Sequence, residues 1–193
     1  MSTCKTICVT NRKLVEGDFC VQIERVLQLG VDGVILREKD LSESAYRELA
    51  ERIKPICERY QTPFYLHTYT ETAKQMGVKK IHLPYHYFLD MTVEEKKKFQ
   101  TIGVSIHAVE EAVRAQEEGA SYLIAGHIFA TDCKKGAAPR GTDFLEAVCK
   151  SVHIPVYAIG GITPQNREDC LKAGAEGVCL MSSLMKSTKK TEI

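Results

Sequence analysis

The sequence predicts an α/β protein in which eight parallel strands close into a (β/α)8 TIM barrel. Eight short runs of apolar or β-branched residues alternate with segments that carry helical signals, and this spacing indicates right-handed βαβ units in a parallel sheet. An open doubly wound sheet is the alternative, but it often has a GxGxxG turn after its first strand, which this sequence lacks. The 193 residues suffice for one core and are too few for two, so we expect a single domain over 1–193.

The first half of the chain alternates strands with amphipathic helices. Strands are predicted at 6–10, 33–36, 64–68, 79–85 and 102–107. Helices are predicted over 18–29, 42–60 and 71–76. Within the second of these helices, Pro55 predicts a kink or an early end. Thr92, followed three residues later by Glu95, predicts a capping box at the start of a further helix.

The second half continues the same alternation. Helices are predicted over 109–118 and 142–150, and strands at 122–129, 156–161 and 177–181. Thr163 and Pro164 have the favoured order of an N-cap followed by a proline at the first helical position, so we expect a helix from Thr163. The segment after Ser183 is short and charged, which predicts a short or incomplete eighth helix.

Composition excludes several classes of partner. The 26 basic and 25 acidic residues give a net charge of +1, so we expect neither a nucleic-acid surface nor a basic membrane face. The eight cysteines form no CxxC pair, and buried thiols are expected rather than disulfides or metal ligands. The sequence shows neither a signal peptide nor an apolar run of about 18 residues, the length of a membrane span. A cytoplasmic protein is therefore expected, and assembly into a homo-oligomer stays open.

The segment from Ser121 to Gly141 joins a buried strand to a polar loop. His127 closes the apolar run at the carboxyl end of its strand, where the chemistry of such barrels lies. Because imidazole suits proton transfer near neutral pH, we predict His127 as the catalytic residue. A core histidine bonded to a backbone carbonyl is the alternative. The following loop carries hydroxyl and charged groups that suit a small anion: Thr131, Asp132, Lys134, Lys135 and Arg140.

Two further regions predict phosphate binding. Gly160-Gly161 and Ser182-Ser183 follow the seventh and eighth strands, where barrels often hold phosphate. For the glycine pair, a tight strand-to-helix turn is the alternative. Arg37 and Lys39 end the second strand and share a strand face, so they are predicted to bind a carboxylate or phosphate, although either one could be a solvated loop charge.

The sequence resembles the thiamine phosphate synthase and TenI family along nearly the whole chain. The resemblance rests on LREKD, VSIHAVEEAVRAQEEGASY, GHIFATDCKKGAAPRG, PVYAIGGITPQN and AGAEGVCLMSS, in that order. It implies a phosphate-binding (β/α)8 barrel with one of two chemistries. Synthases join an aminopyrimidine diphosphate to thiazole phosphate with magnesium, whereas TenI-type proteins are tautomerases that aromatise a carboxylated thiazole phosphate.

Three places favour the tautomerase branch. Where synthases have Asn-Asp-Arg after the third strand, this chain has His67-Thr68-Tyr69, and Tyr85-His86-Tyr87 stands where they have Gln-Glu-Asp after the fourth. Both presumed magnesium carboxylates are thus missing, which predicts that synthase activity is absent. GHIFATDCK, with His127 and Cys133, is similar to the TenI pattern rather than to GPIFPTxTK.

The resemblance therefore implies an isomerase, a thiazole tautomerase that needs no metal or other cofactor. In that reading His127 moves the proton, and the ligand is a small phosphorylated thiazole. Gly160-Gly161 and Ser182-Ser183 hold the phosphate, and Arg37 or Lys134 holds the substrate carboxylate. A magnesium-dependent synthase and a non-catalytic regulatory barrel that binds a phosphorylated ligand are the alternatives.

Overall fold

The computed structural model describes residues 4–131, 136 and 138–186 and contains one closed barrel in that part of the chain. Every strand pairs in parallel with its neighbours in sequence, and the last strand pairs with the first. The strands are β1 Lys5–Val9, β2 Gly33–Leu36, β3 Phe64–His67, β4 Lys80–Pro84, β5 Thr101–Ile106, β6 Tyr122–Gly126, β7 Val156–Ile159 and β8 Gly177–Leu180. The predicted (β/α)8 barrel is confirmed, and the open sheet is wrong.

Helices connect the strands and cover the outside of the barrel. They are α1 Phe19–Gln28, α2 Glu43–Arg59, α3 Thr70–Gln75, α4 Tyr85–Asp90, α5 Val93–Lys96, α6 Val109–Glu117, α7 Gly141–Ser151, α8 Arg167–Lys172 and α9 Ser182–Lys186. None of the helices in the described ranges is long and apolar enough to cross a membrane. The cysteines in those ranges are free thiols, and four of them are buried.

Helix boundaries differ from the sequence prediction in three places. The early end at Pro55 is wrong, because α2 continues to Arg59. The helix predicted from Thr163 begins only at Arg167, since the Asn166 side chain closes a turn by accepting from the Thr163 N–H (2.8 Å) and donating to the Gly161 carbonyl (3.0 Å). Helix α4 was not predicted. The capping box of Thr92 and Glu95 is confirmed, with both of its hydrogen bonds present.

The predicted sixth strand is also too long, because β6 ends at Gly126 rather than at residue 129. The chain beyond it nevertheless stays bonded to the end of β7. The N–H of Ile128 donates to Ile159 O (2.9 Å), and the N–H of Phe129 donates to Gly160 O (3.0 Å). The residues after β6 are therefore held at the carboxyl end of the barrel.

The barrel interior has an apolar side and a polar side. A second core cluster, separate from the one between strands and helices, groups Ile7, Val9, Ile35, Tyr122, Ile124, Tyr157 and Cys179. Tyr122 stands edge-on between Tyr65 and Tyr157, with ring centroids at 5.8 and 5.7 Å. On the other side, the His82 ring lies 5.6 Å from the Tyr122 ring and 5.8 Å from that of His67. Tyrosine rings thus fill the centre, and imidazoles line the side formed by β3 and β4.

Room for the Tyr122 ring depends on Gly103, and we expect Gly103→Ala to destabilise the fold. A Cβ at position 103 would lie 2.0 Å from Tyr122 Cζ, and overpacking of this kind costs about 1–3 kcal/mol or more. Gly33→Ala is the matched control, because this strand glycine also lies beneath a tyrosine but its added Cβ would be 3.3 Å from the Tyr65 ring. Urea unfolding measures both variants, and equal stability of the two would contradict this packing.

Candidate functional site

One large cavity opens at the carboxyl ends of the strands. Its volume is about 1020 Å³, and every strand or the loop after it contributes to its wall. Seven of the residues predicted from the sequence line it: Arg37, Lys39, His127, Gly160, Gly161, Ser182 and Ser183. Lys134 lies outside the described residues, as do Asp132, Cys133 and Lys135. The cavity brings the seven residues together, and their roles stay predictions.

Close backbone approach places His127 in this wall. His127 is 6% exposed, and its carbonyl accepts from the Arg140 N–H (3.0 Å) just before α7. A Cβ on Gly160 would lie 2.4 Å from the His127 Cβ, and one on Gly161 would lie 2.3 Å from Ala130 O. Packing alone therefore requires both glycines. Because both also line the cavity, this structural requirement is compatible with ligand contact.

A buried hydrogen-bond network fixes the loop after β2. Glu38 is 3% exposed and accepts from Thr10 Oγ1 (2.6 Å), from the Arg12 N–H (3.0 and 3.1 Å) and from Arg12 Nη1 (3.2 Å). Thr10 Oγ1 in turn accepts from the Arg37 N–H (2.9 Å). Charge-assisted bonds of this kind are stronger than neutral ones. The backbone that carries Arg37 and Lys39 is thereby anchored to the end of β1.

The outer end of the same network is an ion pair. Arg12 donates from both Nη atoms to the Asp40 carboxylate, at 2.6 and 2.8 Å. Hydrogen bonds from Arg12 and then from Lys13 hold the pKa of the Asp40 carboxyl well below its usual range. Asp40 therefore stays ionised throughout the ordinary pH range and closes the loop around Arg12.

Sequence reasoning missed the interior histidines and Ser105. His82 is 2% exposed; its Nε2 lies 2.8 Å from Ser105 Oγ and its Nδ1 lies 3.1 Å from Tyr122 Oη. His67 Nδ1 lies 2.7 Å from Thr68 Oγ1. Burial, and then the charge of Arg37, lower the pKa of His82 to about 3, and burial followed by His82 lowers the pKa of His67. Both rings are neutral at pH 7.

A sequence signal for these residues exists in strand alternation. His67 is two residues from Tyr65, and Ser105 is two residues from Gly103, so each pair shares one face of its strand. The pattern does not indicate which face of each strand points into the barrel. It therefore does not distinguish residues that line a ligand pocket from residues packed between strands and helices.

His107 is a second imidazole at the cavity wall, and its tautomer is fixed. The ring Nδ1 lies 2.8 Å from the Gly126 carbonyl oxygen, and the backbone N–H of His107 donates to Glu111 Oε2 (2.6 Å). Because a carbonyl only accepts, Nδ1 carries the proton, and Nε2 of the neutral ring is the basic nitrogen. His107 is therefore equipped to accept a proton or a hydrogen bond from a ligand.

The site does not fit the magnesium that the family resemblance implies. Within the described ranges, no group of three His, Cys, Asp or Glu residues is arranged to hold a metal ion. The two places presumed to hold magnesium carboxylates carry Thr68 and Tyr87, which line the cavity with a hydroxyl and a phenol. Magnesium prefers carboxylate oxygens, so no step is assigned to it.

Comparison with known proteins adds independent evidence. A family model described as "Thiamine monophosphate synthase" matches residues 6–184. A "Putative thiamine-phosphate synthase 2" from Aquifex aeolicus is 32% identical over 177 residues, which are 92% of this chain and 95% of that protein. A "Thiamine-phosphate synthase" from Clostridium acetobutylicum is 33% identical over 190 residues, 96% of this chain and 89% of the relative.

The solved structures agree with these sequence matches. The thiamine phosphate pyrophosphorylase from Pyrococcus furiosus superposes with a TM-score of 0.82 at 28% identity, covering 95% of this chain and 88% of that one.

These names correct the expected activity. The sequence analysis expected an isomerase, and this is wrong, because these relatives are named as thiamine-phosphate synthases, which are transferases. Three short segments had carried that expectation, those after β3 and β4 and the motif around His127, whereas the comparisons rest on nearly the whole chain. With a match over residues 6–184 and relatives above 30% identity along more than nine tenths of its length, the chain belongs to the thiamine phosphate synthase and TenI family.

Proposed function

We propose that the protein joins two phosphorylated heterocycles, an aminopyrimidine diphosphate and a thiazole phosphate, which is the reaction that the family resemblance implies for a thiamine-phosphate synthase such as its named relatives. In this reaction the pyrimidine group moves from its diphosphate to the thiazole, and diphosphate leaves. The observation that supports the proposal is that two separate groups of residues, each suited by its chemistry to an anion, line one cavity.

The first group suits a phosphate monoester. Ser182 and Ser183 supply hydroxyls at the end of β8, next to the turn that follows β7. The second group suits a diphosphate, because Arg37 and Lys39 place two cationic side chains on the loop anchored by Glu38. In the closed barrel, β1 separates β2, which precedes Arg37 and Lys39, from β8, which precedes Ser182 and Ser183. If the phosphate and the diphosphate bind at these two places, the heterocycles attached to them can meet over the centre of the barrel.

The size of the cavity is compatible with two small ligands. Cavities for a single small molecule range from about 300 to 1,000 Å³, and this one, at about 1020 Å³, lies at the top of that range.

Electrostatics at the β2 end suit a departing diphosphate. Cations fixed before the reaction stabilise charge that develops on a leaving group without reorganising during the step. The network of Thr10, Glu38 and Arg12 anchors the backbone from which the Arg37 and Lys39 side chains extend.

Binding without joining is a second candidate function. Thr68 and Tyr87 favour it, because they leave the two presumed magnesium places in the cavity wall without a carboxylate. A barrel of this kind would bind a phosphorylated ligand and release it unchanged.

Incubation of the purified protein with both substrates, with and without magnesium, tests the reaction. We expect thiamine phosphate and diphosphate to form in equal amounts, as measured by chromatography. If calorimetry shows that both substrates bind but no product forms under either condition, the second candidate replaces the first. If neither substrate binds, both candidates are wrong.

The two anion sites are expected to respond separately to substitution. Arg37→Gln should weaken binding of the aminopyrimidine diphosphate about 10- to 100-fold, because a charged hydrogen bond is lost. Ser183→Glu should weaken the binding of thiazole phosphate by at least about tenfold, because the new carboxylate repels the phosphate.

Calorimetry with each ligand measures these effects. Ser44→Glu, which adds the same charge at an exposed position of α2 that does not line the cavity, serves as the control and should change neither affinity. Equal weakening of both ligands by both variants would indicate one shared anion site and contradict the proposal.

A further inference from the structure

A chain of hydrogen bonds runs from the centre of the barrel to the cavity wall. Tyr122 Oη lies 3.1 Å from His82 Nδ1, and His82 Nε2 lies 2.8 Å from Ser105 Oγ. Tyr122 and His82 are 5% and 2% exposed, whereas Ser105 is half-buried and lines the cavity. The mechanism proposed above uses none of these three side chains.

We propose that this chain has a fixed direction, from Tyr122 through His82 to Ser105, and that it makes the Ser105 hydroxyl a donor toward the bound ligand. Ser105 would then select a hydrogen-bond acceptor on the ligand, such as a ring nitrogen or a phosphate oxygen. The identity of that ligand rests on the proposed function, but the direction of the chain does not.

The direction follows from the ends of the chain. Among the contacts of the described residues, His82 Nδ1 is the hydrogen-bond partner of Tyr122 Oη. If Nδ1 carried the proton, the phenol proton would be left buried without an acceptor, which is costly. If Tyr122 donates, Nδ1 accepts, Nε2 carries the proton and donates to Ser105 Oγ, and the remaining proton is that of Ser105, at the cavity.

Packing holds the phenol in place for this role. Tyr65 and Tyr157 present T-shaped contacts to the Tyr122 ring at 5.8 and 5.7 Å, and Gly103 leaves the space that the ring occupies. A rigid donor at one end of the chain imposes one tautomer on His82. The low pKa of His82, about 3 because of burial, keeps the imidazole neutral, so that Nδ1 remains an acceptor.

Nitrogen-15 NMR of the imidazoles tests the direction in the protein without ligand. We expect His82 to be protonated at Nε2 and unprotonated at Nδ1. Protonation at Nδ1 would overturn the proposal. This measurement does not depend on any reaction. The proposed function can therefore be wrong while the direction of the hydrogen bonds is still confirmed.

A double-mutant cycle tests the effect on ligands. Ser105→Ala should weaken the binding of one of the two ligands, thiazole phosphate or aminopyrimidine diphosphate. Tyr122→Phe should reduce the affinity for that same ligand by about two- to tenfold. In Ser105→Ala, adding Tyr122→Phe should cost nothing further, because Tyr122 acts only through Ser105. Tyr157→Phe, which removes a hydroxyl of the same ring cluster that is not bonded to His82, is the control and should leave affinity unchanged.

Each other outcome counts against the proposal. Additive losses in the double variant would show that Tyr122 has only a general structural role. Full affinity for both ligands in Ser105→Ala would show that Ser105 does not donate to a ligand. Full affinity for both ligands in a folded Tyr122→Phe variant would show that Tyr122 does not make Ser105 a donor.

Discussion

The close approach of β6 and β7 at their carboxyl ends is the constraint on which the site depends. Three glycines make it feasible: a Cβ on Gly126 would lie 2.3 Å from Ile159 Cγ2, and those on Gly160 and Gly161 would meet the His127 Cβ and the Ala130 carbonyl. Interiors packed at this density do not absorb an extra methyl group without displacing backbone. The position of His127 and the shape of the neighbouring turn are therefore set by the same contact.

Polar groups in the rest of the barrel are arranged so that burial is compensated. The Glu38 carboxylate is buried, but it accepts from a hydroxyl, a backbone N–H and a guanidinium. Burial of a carboxylate without such partners would be prohibitively costly. His67 and His82 avoid this cost in another way, because burial lowers the pKa of each ring and keeps it neutral. Fixed charge thus lies at the rim of the cavity, and uncharged donors and acceptors lie deeper.

The sequence was sufficient to predict the fold, and most of the predicted site residues line the rim of the cavity. Alternation of short apolar strands with amphipathic helices has few topological solutions, which explains why the barrel and the residues at its strand ends were predictable. The start of α8 was not, because the Asn166 side chain closes a turn across residues that otherwise match a proline-initiated helix. His82 was missed because its importance lies in partners 23 and 40 residues away. The isomerase expectation failed for a different reason, since three short segments outweighed the rest of the chain.

The contact between Gly103 and Tyr122 has a consequence for how this barrel tolerates change over evolution. The two positions share one volume, so a larger residue at 103 would be accommodated by a smaller one at 122. Such an exchange would preserve the packing but remove the phenol that contacts His82. Side-chain size at position 103 on β5 and polarity beside His82 on β4 are therefore coupled through one ring on β6.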